Sequence, residues 1–170
     1  RRLWRPSFLL KMLRTNPFRL YGIRTLLSGT LLPSPPIGEG APELLRAIVA
    51  EGHELGIHGY DHVRWQDCLE RMGEKGIETE LDKSVTAYDR LLGSRPASSA
   101  APGWRCTPLS LKVQEKFGFL YASDVRGSCP FLPVHEGQAF KTLPIPTTLA
   151  TMDDLLGRQD NVDGVLLFSL

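Results

Sequence analysis

Apolar residues recur at helical spacing in three stretches of the chain. In "PELLRAIVAEG", Leu44, Leu45, Ile48 and Val49 form one stripe, Pro42 suits the first turn, Glu43 meets the positive end of the helix dipole and Gly52 stops the helix. A longer helix is predicted over about 74–92, with Ile77, Leu81, Val85, Tyr88 and Leu92 on one face and Gly93 as its stop. In the third, Thr107 caps the start, Pro108 takes the first position, Leu109, Val113 and Phe117 point inward, and Gly118 closes the element.

Between these helices lie short extended patterns. "HELGIHGY" reads as a buried strand that opens into a turn at Gly59. "PASSAAPGW" reads as small-residue strand and loop, and "FLYASDV" as a strand. "TLPIPTTL" is broken by proline and suits a sheet edge. "TMDDLLG" opens a further helix capped by Thr151, and "PSPPIGEGAP" (33–42) reads as a linker or surface loop. The alternation of helix and strand predicts an α/β architecture with a mostly parallel sheet. In such folds ligands sit beyond the C-terminal ends of the strands, and His58, Gly103 to Arg105, and Asp124 all follow predicted strands.

Composition changes this picture in three places. The chain has 170 residues, 42% hydrophobic and 23% charged, so one domain with a real core is expected; a net charge of +1 gives no general case for nucleic acid. The charge is unevenly placed. No acidic residue precedes Glu39, whereas Arg1, Arg2, Arg5, Lys11, Arg14, Arg19 and Arg24 are basic. Segments 1–32 thus form a basic amphipathic arm, with Trp4 and Phe8 available for an interface. Such an arm packs as short core helices with a basic solvent face, meets membrane phosphates or a phosphate-bearing substrate, or does both. Cys68, Cys106 and Cys129 make no disulfide framework, which suits reduced thiols in a cytosolic compartment. No apolar run reaches the roughly 18 residues of a membrane-spanning helix. The chain starts without Met and stops at "GVLLFSL" in mid-pattern, so a fragment is expected.

The candidate chemistry is concentrated in "GHELGIHGYDH", which holds three of the four histidines. His58 and His62 stand four apart, a spacing that puts both imidazoles on one side of a helical turn, able to share one zinc, manganese or cobalt ion. A catalytic site needs a third protein ligand, commonly a carboxylate, and Asp61 between the two would point elsewhere. His53, at the start of the strand, reads as structural.

"GHELGIHGYDH" resembles the second motif of the polysaccharide deacetylase (NodB-homology) family. "LLKMLRTNPFRLYGIRTLLSGT", "GIHGYDHVRWQD", "SSAAPGWR", "SDVRGSCPFLPV" and "LPIPTTLATMDDLLGR" are similar, in the same order, to segments of the branch that deformylates undecaprenyl-phosphate-linked 4-deoxy-4-formamido-L-arabinose. The resemblance implies a metal-dependent amide hydrolase on a distorted (β/α) barrel, incomplete at both ends, with 1–170 as a single partial domain. It makes His58 and His62 ligands of a divalent metal ion (Zn, Mn or Co). It places Arg105 of "APGWR" along the active-site groove, although the wider family has an arginine where this chain has Ala100, and it gives Asp124 of "SDVRG" the task of orienting polar groups. It further implies a lipid-linked phosphosugar as substrate, in lipid A modification and polymyxin resistance. The expected location is cytoplasmic, peripheral at the inner membrane of a Gram-negative bacterium.

Amide hydrolysis needs a metal that polarises the carbonyl, a base for the water, support for the oxyanion and an acid for the leaving amine. The family's first motif supplies two aspartates, one as base and one as third ligand; no such Asp-x-Asp precedes His58 here. The family's last histidine also lacks a counterpart, since His135 lies before "TLPIPTT". The chain is therefore expected to be inactive or nearly so as it stands. Two alternatives stay open: an N-deacetylase of another glycan, and a non-catalytic homologue that binds a lipid phosphosugar.

Overall fold

The structure is a computed structural model that describes residues 37–149. The basic arm at 1–32 and the helix expected from Thr151 lie outside the described residues. Five α-helices are described, besides three short 3-10 turns: α1 (Ile37–Gly40), α2 (Pro42–Ala50), α3 (His62–Cys68), α4 (Glu74–Leu92) and α5 (Pro108–Gln114). Five two-residue strands accompany them: β1 (Ser98–Ser99), β2 (Tyr121–Ala122), β3 (Val134–His135), β4 (Gln138–Ala139) and β5 (Leu143–Pro144). No helix among the described residues is long and apolar enough to cross a membrane.

The sheet is parallel, in the order β1-β2-β5, with Ser98 opposite Tyr121, Ser99 opposite Ala122, Tyr121 opposite Leu143 and Ala122 opposite Pro144. A parallel bridge from Ile57 to Ser99 adds the histidine-bearing segment beside β1. The strand expected in "HELGIHGY" is thus reduced to one bridge. Gly56 explains how closely that segment lies, since a Cβ there would stand 2.7 Å from Ser98 Oγ. β5 occupies an edge of the sheet, where proline costs no ladder bond. β3 and β4 form a separate antiparallel hairpin whose turn residues, Glu136 and Gly137, both have positive φ (51° and 78°), the requirement of a type I′ turn.

α4 keeps the bounds that its periodicity predicts, with Gly93 at φ 71° as a left-handed stop. Ile77, Leu81 and Val85 are buried on its inner face and meet Ile57, Trp65, Leu69, Val113 and Phe119 in the core. α5 begins at a capping box: the Thr107 hydroxyl accepts from the Ser110 N–H, and the Ser110 hydroxyl accepts from the Thr107 N–H. Three local features differ from the sequence pattern. α1 is a helical turn within the expected loop. α3 follows directly on the histidine motif. In α2, Leu44 and Val49 are exposed while Leu45 and Ile48 are half-buried, so only part of the apolar stripe packs inward.

Candidate metal and amide-hydrolysis site

The histidine motif is built at the end of the bridge between Ile57 and β1. The Ile57 N–H donates to Ser98 O at 3.1 Å and the Ala100 N–H donates to Ile57 O at 2.8 Å, so His58 emerges where the pairing stops. The chain then turns at Gly59, whose φ is 72° and whose absent side chain leaves room for Pro102. Asp61 caps α3 by accepting the Arg64 N–H at 2.9 Å, and His62 is the first residue of that helix. The two histidines are therefore divided between a turn and a helix start rather than carried on one helix. Their rings are nevertheless neighbours, with centroids 5.2 Å apart and planes tilted by 58°.

His58 Nδ1 lies 2.9 Å from the Ala100 carbonyl oxygen. A carbonyl only accepts, so this bond puts the proton on Nδ1 and leaves Nε2 with its lone pair, the arrangement that orients histidine ligands. Two imidazole nitrogens at a Zn–N length of about 2.0–2.1 Å around a tetrahedral ion put the ring centroids about 5 Å apart. The pair fits a shared divalent ion on that measure. Among the described residues no group of three His, Cys, Asp or Glu side chains is assembled, so the pair supplies two ligands and no third from this region.

A cavity of about 20 Å³, room for roughly one water, lies against Ile57 and Gly59, the residues on either side of His58. Ile57, Gly59, Ser99, Ala101, Gln114 and Asp124 contribute to its lining. Asp124 follows β2 and is buried, and its Oδ1 has no hydrogen-bond partner among the described residues. Burial pushes its carboxyl above the usual aspartate range, while hydrogen bonds from Gln114 and the Ala101 backbone pull it back. Asp124 thus lines the same cavity as Ile57 and Gly59, the chain neighbours of His58.

Arg105 lies on the loop that follows β1. Its guanidinium pairs with Glu70 at 2.7 Å, both side chains half-exposed or more, and its carbonyl oxygen accepts from the buried Trp65 indole at 2.8 Å. Through these contacts Arg105 fixes the loop after β1 against α3. The neighbouring Trp104 sits on the sheet rim: its indole N–H donates to Thr147 Oγ1 at 2.8 Å, and the Arg126 guanidinium lies 4.0 Å from its ring centroid. His53 is exposed, in keeping with a place outside the site.

One site-forming residue gave little warning in the sequence. Glu80 is 1% exposed, within the inner face of α4, and its carboxylate accepts the Asp61 N–H at 3.3 Å and pairs with Arg64 at 3.2 Å. The signal was its position, between Ile77 and Leu81 on the apolar stripe.

A family model for polysaccharide deacetylases matches residues 25–122. A protein of Shewanella sediminis (strain HAW-EB3), named probable 4-deoxy-4-formamido-L-arabinose-phosphoundecaprenol deformylase ArnD, is 41% identical over 162 residues, 95% of this chain and 52% of its own. A protein of the same name from Wigglesworthia glossinidia brevipalpis is 33% identical over 91% of this chain and 54% of its own. The chain spans about half the length of these curated relatives. The solved structure of a probable polysaccharide deacetylase from Pseudomonas aeruginosa PAO1 is similar with a TM-score of 0.51 and 29% identity, over 66% of this chain and 36% of that one.

Proposed function

The chain belongs to the polysaccharide deacetylase family, and from that membership we propose that it carries the metal-binding half of an amide hydrolase that removes the formyl group from undecaprenyl-phosphate-linked 4-deoxy-4-formamido-L-arabinose. The observation that supports this best is the pair of imidazoles, His58 and His62, with centroids 5.2 Å apart. The substrate class rests on the relatives whose names state it.

In this reading His58, through Nε2, and His62 hold a divalent ion; zinc, manganese and cobalt all suit such ligands. When bound, the ion supplies polarisation of an amide oxygen and acidification of water. The residues of this chain do the rest that this region can do. Ala100 O fixes the tautomer and direction of His58. Asp124, buried and lining the cavity beside the histidine turn, offers a polar atom to a solvent molecule there. Trp65 and Glu70 hold Arg105 and its loop at the rim. Within the given sequence the first aspartate is Asp61, so none stands before His58 to serve as the base. The chain alone therefore binds metal weakly and hydrolyses little. The basic residues from Arg1 to Arg24 supply a complement for the phosphate of the lipid-linked substrate and for the anionic inner face of a Gram-negative inner membrane.

Zinc titration followed by the imidazole signals of the chain tests the site, because ring-proton shifts report even weak binding. Both rings respond together in the wild type, and His58→Ala or His62→Ala abolishes the response of the remaining ring. Unchanged zinc binding in both variants overturns the reading. Substrate class is tested with formamido-arabinose and N-acetylated glycan lipids: formate release, or preferential binding of the formamido compound, supports the deformylase, and preference for the acetylated one assigns a deacetylase.

A further inference from the structure

The geometry points to Glu80 as the positioning residue of the histidine turn, an inference that rests on the metal-site reading above. Glu80 lies in the middle of α4, among Ile77, Leu81, Ser84 and Val85, and is 1% exposed. A carboxylate withdrawn from water in this way is strongly unfavourable unless it is paired and hydrogen-bonded. The contacts described for this carboxylate come from the turn and helix that carry the histidines. The Asp61 N–H donates to Oε2 at 3.3 Å, one residue before His62, and the Arg64 guanidinium lies 3.2 Å from Oε1, two residues after it.

The same turn is held at its other end by His58 Nδ1 on Ala100 O and at Gly59 by the close approach of Pro102. Asp61 completes the link, since its side chain accepts the Arg64 N–H at 2.9 Å and its carbonyl accepts the Trp65 N–H at 2.9 Å. Glu80 thus fastens the start of α3 to the core helix, while Ala100 fastens His58 to the sheet. The distance between the rings is set by these two anchors, one on each histidine's own segment. Glu80 acts through backbone and cap, and it makes the pair a preformed ligand site rather than two loosely tethered side chains.

The test is zinc titration of the full chain, read from the ring signals of both histidines, in wild type, His62→Ala, Glu80→Leu and Glu80→Gln. Glu80→Leu weakens zinc binding by about 10–100-fold, the usual effect of losing a partner behind a ligand. Glu80→Gln keeps an acceptor for the Asp61 N–H and recovers most of that loss. Val85→Ala, on the same helix face, lowers thermal stability without a matching loss of zinc affinity. Equal weakening by Val85→Ala, or wild-type affinity in Glu80→Leu, overturns the inference. Should Glu80→Leu not fold, Glu80→Asp decides: drawing the carboxylate back by one methylene weakens zinc binding, and unchanged binding overturns the proposal. Failure of the underlying reading looks different, because His62→Ala then leaves zinc binding intact.

Discussion

The Nδ1 atom of His58 lies 2.9 Å from the carbonyl oxygen of Ala100, so one hydrogen bond both closes the end of the parallel pairing and fixes which imidazole nitrogen is left for a ligand. An asparagine at position 58 reproduces the Nδ1 donor but has nothing in place of Nε2. His58→Asn therefore keeps the bond to Ala100 and most of the stability, yet loses the zinc response of the His62 ring. Parallel thermal melts and imidazole NMR check both halves. Zinc binding retained at the His62 ring in His58→Asn would show that His58 is not a ligand.

Gly103 has a φ of 62°, and a Cβ there would collide with the Gln66 amide. Two separable penalties follow. Gly103→Ala costs about 1–2 kcal/mol for the left-handed backbone, plus the steric term. Adding Gln66→Ala removes the clash and recovers part of the loss, while the backbone cost stays. Chemical denaturation of the single and double variants gives the two contributions by difference.

Ile77 is fully buried at the centre of the core. Ile77→Val loses about 0.5–1.5 kcal/mol, and Ile77→Ala about 2–5 kcal/mol as a cavity opens between α4 and its neighbours. The shift of the urea midpoint at constant slope measures each.

Glu54 is held below the usual carboxylate range by hydroxyls of Tyr121 and Ser98, each 2.7 Å from Oε1. A carboxyl lowered in the folded state adds stability above its unfolded value, and that contribution disappears as pH falls through the folded value. Tyr121→Phe raises the Glu54 value toward normal. The stability gap between wild type and variant is then present near neutrality and closes in acid, as melts from pH 7 down to pH 3 will record. A gap that widens in acid contradicts the assignment.

The helices were the most legible part of the sequence. α4 runs from Glu74 to Leu92 because its apolar spacing is regular and Gly93 can adopt φ 71°; α5 starts at Thr107 because its cap and its proline agree. α3 was harder to see. Only Trp65 is buried within it and Val63 is 48% exposed, so no stripe forms in so short an element. Its start depends on the Asp61 cap, and aspartate beside two histidines reads as readily as a candidate ligand. The expectation for the histidine pair and Asp124 rested on motif and strand order; the structure sets the two rings 5.2 Å apart and Asp124 in a cavity lined also by Ile57 and Gly59. Glu80 left one trace, its place on the apolar stripe of α4, but glutamate in a helix normally reads as solvent face, and its burial depends on Arg64 and the Asp61 N–H, contacts 16 and 19 residues away that periodicity does not encode.

Trp104 joins three successive loops at the sheet rim, its own after β1, that of Arg126 after β2 and that of Thr147 after β5. An indole stacked under a guanidinium and bonded through its N–H emits according to both contacts. Its fluorescence is therefore a built-in optical gauge: any molecule that parts these loops on arriving at the rim changes the colour or intensity of Trp104, and comparison with Trp104→Phe separates that change from the emission of Trp4 and Trp65.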